Sequence, residues 1–169
     1  MNITFNSYNN DKKRFIDIMA IKPVNTENLT LLQEAYRKFW TKFNYVSSCN
    51  EDFAKDFKVH KIPSIRCYQD YSVGKCYQIC LNVNYKKEFV SIQAYFSNTC
   101  VYDEFFSRHK ERIENMIGKR LIWERKTTKG YAKLNLNISF SHSDMTNWND
   151  ICNEIIPNAI LMKQVFSHF

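Results

Sequence analysis

The sequence feature that most limits the fold of this chain is a pair of neighbouring stretches in which apolar and polar residues alternate. In residues 75–84, and again in residues 88–96, apolar side chains occupy every second position. The segment Asn84-Tyr85-Lys86-Lys87 between them has the polar character of a turn. Successive side chains of a strand point to opposite faces, so this pattern predicts a β-hairpin with one apolar face.

Three helices and a second hairpin are predicted around the first. Apolar stripes at helical spacing cover residues 28–44 and 99–117, and a third stripe follows Ser143-Asp144, a good N-cap pair. Strands are predicted at 120–125 and 131–140, with a turn at Lys129-Gly130. Pro157 predicts a kink or a split in the last helix. The order helix, hairpin, helix, hairpin, helix predicts an α+β fold, with an antiparallel sheet built from two β-hairpins and helices packed on one face.

The size of the chain favours one domain. It has 169 residues, of which 44% are hydrophobic and 15% aromatic, enough to bury a core. We assign residues 26–169 to this domain and residues 1–25, with a possible strand at 15–21, to an N-terminal extension. Residues 47–73 show no clear pattern. No apolar run is long enough to cross a membrane, and the polar N-terminus lacks a signal peptide, which predicts a cytoplasmic protein.

Positive charge is the main hint of a partner. The 24 Lys and Arg exceed the 17 Asp and Glu, so the net charge is +7, which suits DNA or RNA. Solubility charge on helix faces is the alternative interpretation, because acidic residues interrupt most of the basic clusters. The candidate nucleic-acid-binding residues are Arg37, Lys38, Lys42, Arg108, Lys110, Arg125 and Lys126.

The triplet Glu124-Arg125-Lys126 has the spacing of a metal-dependent nuclease half-site. Such a nuclease needs a second carboxylate on the same Mg²⁺, normally supplied by an adjacent strand. The preceding predicted strand is separated from Glu124 by a full helix, and Asp70, the nearest Asp before that strand, lies in the segment without a pattern. Solvated residues beside a buried Trp123 are the alternative interpretation.

Cysteine and histidine residues give no recognisable site. Cys76 and Cys80 are four positions apart on a strand, roughly 13 Å, too far to share one zinc ion. Cys100 lies near a helix N-terminus but has no recognisable His partner in sequence. Three Gly in total leave no glycine-rich phosphate loop. We therefore predict no metal, no cofactor and no catalytic residue.

Three stretches resemble a known family. They are YRKFWTKF at 36–43, RIENMIGKRLIWERK at 112–126 and SDMTNWNDICNEIIPNAILMKQVF at 143–166. Over about residues 30–169 the chain is similar to the bacterial and phage family called domain of unknown function 4268. The family has no established activity, so the resemblance implies a fold and a bacterial or phage setting. Longer members that join the domain to nuclease-like regions imply an accessory role in DNA metabolism or defence. The motif residues taken as structural are Phe39, Trp40, Gly118, Leu121, Trp123, Asp144 and Trp148.

Three functions stay open at this point. The first is a non-enzymatic interaction module that binds nucleic acid or a protein partner in bacterial or phage defence or counter-defence. The alternative is a metal-dependent nuclease using Glu124 and Lys126. The third is a homodimer formed through Phe89 and Tyr95, on the second side of the first hairpin.

Overall fold

The computed structural model describes residues 29–72, 77–141 and 147–169. The N-terminal extension, its predicted strand and the N-cap pair Ser143-Asp144 lie outside the described residues. The elements follow in the order α1 (Leu31–Cys49), α2 (Glu51–Asp56), β1 (Tyr68–Ser72), β2 (Gln78–Asn84), β3 (Phe89–Phe96), α3 (Thr99–Ile117), β4 (Ile122–Lys126), β5 (Tyr131–Ser139) and α4 (Trp148–Phe166).

The strands form one five-stranded sheet in the order β1-β2-β3-β5-β4, and every neighbouring pair is antiparallel. The two predicted hairpins are present as β2–β3 and β4–β5, and they join each other through β3 and β5. The α+β class with an antiparallel sheet is therefore confirmed. Residues 47–73, which show no clear sequence pattern, contain two elements that were not predicted, the short helix α2 and the edge strand β1.

One face of the sheet is apolar and carries the helices. In the register, Leu81 lies opposite Ile92, which lies opposite Leu136, and all three are buried. Phe96, on the same face, contacts both Phe105 of α3 and Phe166 of α4. The hairpin alternation thus places one apolar set in the core and leaves the polar set on the opposite face.

Helix α4 is the centre of the helical layer, because it packs against α1, α2, α3 and the sheet. Pro157 does not split it, and α4 runs through as one helix. Both Pro157 and Asn153 are exposed. Water can therefore hydrate the Asn153 carbonyl, which has lost its helical donor.

The family-motif residues have structural roles that the residue types explain. Phe39 and Trp40 of α1 are fully buried, and the Trp40 indole Nε1–H donates to the Arg66 carbonyl at 2.8 Å. Gly118 caps α3 in the left-handed region at φ 67°, which a residue without Cβ adopts readily. The Trp123 side chain is half-buried and its Nε1–H donates to Glu114 Oε1 at 2.9 Å. Leu121 and Trp148 are buried as expected, while Asp144 lies outside the described residues.

Candidate binding face of the sheet

The polar face of the sheet holds a groove of about 480 Å³ that extends from β1 across β2 and β3 to β5. We call it the sheet groove. It is lined by Tyr68, Asp70, Gln78, Cys80, Asn82, Gln93, Tyr95, Tyr131 and Lys133.

Strand register brings these side chains together from distant parts of the sequence. Asp70, Cys80, Gln93 and Asn135 form one row across four strands. Side chains that face each other in this way have Cβ atoms about 5 Å apart. The face is therefore a continuous surface of hydrogen-bonding groups.

Tyrosine rings stand at both ends of the sheet groove. Tyr95 and Tyr131 lie with ring centroids 5.3 Å apart and planes at 33°. At the β1 end, Arg66 Nη1 donates to the Tyr68 hydroxyl at 3.0 Å. All three rings are half-buried, so part of each is open to a ligand. Rings held in this way can stack against a planar ligand.

Amide side chains form the floor. Gln93 is 7% exposed and Asn135 is 3% exposed. Asn135 Nδ2 donates to the Ile122 carbonyl at 3.2 Å and to Glu124 Oε1 at 3.3 Å, whereas its Oδ1 is buried without a partner. Asn135 does not line the sheet groove and its Oδ1 has almost no accessible surface, so a ligand in the groove can reach the Gln93 amide but not this oxygen.

The charges along the groove are mixed. Lys133 lies on β5, with Nζ 3.9 Å from Glu124 Oε2, while Asp70 is exposed on β1. Burial and the neighbouring Asp70 carboxylate both raise the pKa of the Cys80 thiol. Cys80 thus stays protonated at neutral pH, and its weak nucleophilicity argues against a thiol enzyme at this site.

The seven predicted nucleic-acid-binding residues form two sets in the structure, one on α1 and one on α3 and β4. The structure brings α3 and β4 together, because Arg125 of β4 forms a two-pronged ion pair with Asp103 of α3 at 2.8 and 2.9 Å. The three cations of α1 lie on a helix that packs against α4 and has few contacts with α3. The α1 set is Arg37, Lys38 and Lys42.

All four cations of the α3–β4 set already have a partner. Arg108 is bonded to Glu104 at 2.8 Å, and Lys126 Nζ lies 3.3 Å from Glu124. The Lys110 ammonium lies 5.1 Å from the centre of the Phe106 ring. These partners reduce the charge that each residue could offer to a phosphate.

The connection from α2 to β1 contributes cations that were not chosen from the sequence. Lys58 and Lys61 are exposed and line a second groove of about 800 Å³, which meets the sheet groove at Asp70. Within the described residues, Lys58, Lys61 and Arg66 form no ion pair. The spacing of Lys55, Lys58 and Lys61 was the available signal, but only the pairing of β1 with β2 places this segment beside the groove.

Among the described residues, the nuclease half-site has no second carboxylate where the chemistry needs one. Glu124 faces the polar side, but β5, the one described strand that pairs with β4, has no acidic residue. Asp70 is four strand spacings away, roughly 19 Å, which is too far for one metal ion to bridge. Within the described ranges, no three His, Cys, Asp or Glu side chains converge closely enough to hold a metal ion.

The fold and the site define a small α+β domain whose sheet has one face covered by helices and one polar face on which no described helix packs. The family model described as "Domain of unknown function (DUF4268)" matches residues 35–169, and the chain belongs to this family. No curated protein and no solved structure matches the chain. None of the described helices has the length and apolarity needed to traverse a bilayer.

Proposed function

We propose that this protein is a non-enzymatic module that binds single-stranded nucleic acid across the sheet groove. One observation carries the proposal: the groove is lined by tyrosine rings and amide side chains, in a chain with a net charge of +7. The resemblance to the family supports a bacterial or phage defence or counter-defence setting for this binding.

Single strands fit this surface better than a duplex does. Unpaired bases can stack on aromatic rings and expose their hydrogen-bonding edges, which is how many β-sheet surfaces bind RNA. A duplex hides those edges in its stack and is held mainly through phosphate contacts. Lys133 is the one cation among the residues that line the sheet groove, whereas three of them are tyrosines.

The rim of the groove supports contacts to the backbone of the strand. Lys58, Lys61 and Arg66 lie at the β1 end. Lys126 and Lys133 lie at the β5 end, where the two cations share one carboxylate, that of Glu124, and keep a net positive charge. A strand that crosses the sheet would therefore meet cations at both ends. We expect affinity to fall as salt rises, because each phosphate contact releases a counterion.

Fluorescence anisotropy with single-stranded DNA and RNA of about twelve nucleotides, and with a duplex of equal length, tests the proposal. We expect both single strands to bind more tightly than the duplex. Tyr95→Ala and Tyr131→Ala should each weaken binding about tenfold, because stacking contributes ~1–3 kcal/mol per base. Phe106→Ala is the matched control, since Phe106 is an exposed ring on α3, away from the groove.

The results separate the candidate functions. Absence of binding to any single strand at low salt would refute the proposal and leave a protein partner or a homodimer. Equal losses in Tyr95→Ala and Phe106→Ala would place the binding site elsewhere. The nuclease alternative predicts Mg²⁺- or Mn²⁺-dependent cleavage that Glu124→Ala abolishes, and equal activity in the two proteins would exclude it.

A further inference from the structure

We propose that the second groove, beside the sheet groove, holds the phosphate backbone of the bound strand where that strand leaves the sheet. This inference rests on the proposed function and extends its site to the connection between α2 and β1. The second groove has a volume of about 800 Å³ and is lined by residues 58–62 together with Asp70 and Tyr71.

The two grooves are continuous, because Asp70 lines both of them. Asp70 lies on β1, the strand at the edge of the sheet, so a ligand that crosses the strands towards β1 reaches the second groove next. The volume of this groove lies in the range that holds a small organic ligand such as a nucleotide. Exposed Ile62 and half-buried Val59 add apolar surface on which a sugar or a base can pack.

The positive charge of the second groove is available to a ligand. Lys58 and Lys61 are exposed, and neither forms an ion pair with another described residue. At the opposite end of the sheet, Lys126 and Lys133 share the Glu124 carboxylate. A phosphate in the second groove therefore meets two ammonium groups that need not leave a carboxylate first, which favours this end for backbone contacts.

The segment that carries these lysines is anchored to the core, so the groove is formed without a ligand. His60 Nε2–H donates to the Asp70 carbonyl at 2.9 Å, and the imidazole packs edge-on against the buried Tyr71 ring at 5.0 Å. At the start of the segment, buried Phe57 stacks on Phe53 at 4.5 Å. A groove held in this way loses little conformational freedom when a strand binds.

Anisotropy on the full chain with oligo-dT of two lengths, about four and about twelve nucleotides, tests the inference. The short strand can occupy the sheet groove alone, whereas the long strand can reach both grooves. The double variant Lys58→Gln/Lys61→Gln should leave binding of the short strand unchanged and weaken binding of the long one. For the long strand, the slope of log affinity against log salt should fall by about 1.4, or about 0.7 for each lost phosphate contact. Between about 1 M and about 0.1 M salt, this slope amounts to an affinity loss of about 25-fold.

Two further variants separate the second groove from net charge and from poor folding. Lys86→Gln/Lys87→Gln is the matched control, because it removes the same charge from two exposed lysines of the β2–β3 turn that line neither groove. It should keep the affinity for both strands and the salt slope. Asp70→Asn removes the negative charge where the grooves meet, so it should tighten binding of the long strand about threefold, the effect of one charge several ångströms away in water. A poorly folded variant cannot produce such a gain.

The outcomes distinguish this inference from the proposed function. Equal losses in the two double variants, or an unchanged salt slope in Lys58→Gln/Lys61→Gln, would overturn the role of the second groove. Weaker binding of the long strand by Asp70→Asn would overturn it as well. The module would remain a single-strand binder in either case, provided that Tyr95→Ala still weakens binding of the short strand. Failure of every oligonucleotide to bind would overturn both proposals.

Discussion

Trp40 provides the sharpest test of how this fold supports its binding face. Its indole is fully buried, packs edge-on against Phe39 at 5.0 Å, and donates to the Arg66 carbonyl at 2.8 Å. Residue 66 lies at the entrance to β1, where Arg66 contacts Tyr68. One hydrogen bond from the core therefore fixes the rim of the sheet groove.

We expect Trp40→Phe to lower the free energy of unfolding by about 2–4 kcal/mol. Loss of the second ring costs about 1–2 kcal/mol in packing. The Arg66 carbonyl then loses its donor, which costs about 1–2 kcal/mol more. Trp148 is the matched control because it is also buried, yet its Nε1–H has no hydrogen-bond partner among the residues that the structure describes. Trp148→Phe loses similar packing but removes an unpaired donor, so we expect a cost of about 0–1 kcal/mol.

Urea denaturation followed by circular dichroism measures the difference. The free energy of unfolding falls by about 2 kcal/mol per molar urea. A difference of about 2 kcal/mol between the two variants therefore separates their urea midpoints by about 1 M. Equal midpoint shifts in the two variants would refute the reasoning, because the bond to Arg66 would then contribute nothing. Trp40→Phe should also weaken single-strand binding, whereas Trp148→Phe should not.

Three further predictions concern stability. Lys163 Nζ donates to the Asp56 carbonyl at 2.6 Å and to its carboxylate at 2.9 Å, at the C-terminus of α2. Lys163→Met should therefore lower the free energy of unfolding, measured by urea denaturation, by about 1–2 kcal/mol. Lys119→Met is the control: it removes an exposed ion pair and should lower the same quantity by less than about 0.5 kcal/mol. Burial raises the pKa of Cys152 from 9.0 to about 12, so the unfolded thiol ionises first and stability falls as pH rises above 9. Between about pH 9 and pH 10, Cys152→Val should reduce this loss of unfolding free energy by up to ~1 kcal/mol. An unchanged slope of the unfolding free energy against pH would contradict the prediction. Asn44 is buried, and neither its Oδ1 nor its Nδ2 has a hydrogen-bond partner in the described part of the chain. Asn44→Leu should therefore stabilise the protein by about 1 kcal/mol, and a lower melting temperature would contradict this.

The parts of the fold that were predictable share one property, namely repetition of apolar residues over many positions. The hairpin of β2 and β3 follows from its alternation, and α3 follows from its stripe and from Gly118 at its end. Strand β1 was missed because its inward side chains are Gln69 and Tyr71, not aliphatic residues. Helix α2 was missed because six residues are too few to show a period.

The candidate site was less predictable, since it depends on pairings between distant residues. Alternation shows that Gln93 and Tyr95 share a face, but not that β5 brings Lys133 beside Tyr95. In the same way, the high density of Arg and Lys is visible in the sequence, whereas the ion pair of Arg125 with Asp103 across 22 positions is not.

The central position of α4 has a consequence for how the chain folds during synthesis. The helix that packs against every other helix and against the sheet is also the last of the described elements to be translated. Until residues 148–166 are available, the strands can pair but part of their apolar face stays uncovered. We therefore expect the nascent chain to complete its core late and to depend on chaperones that protect exposed apolar surface until then.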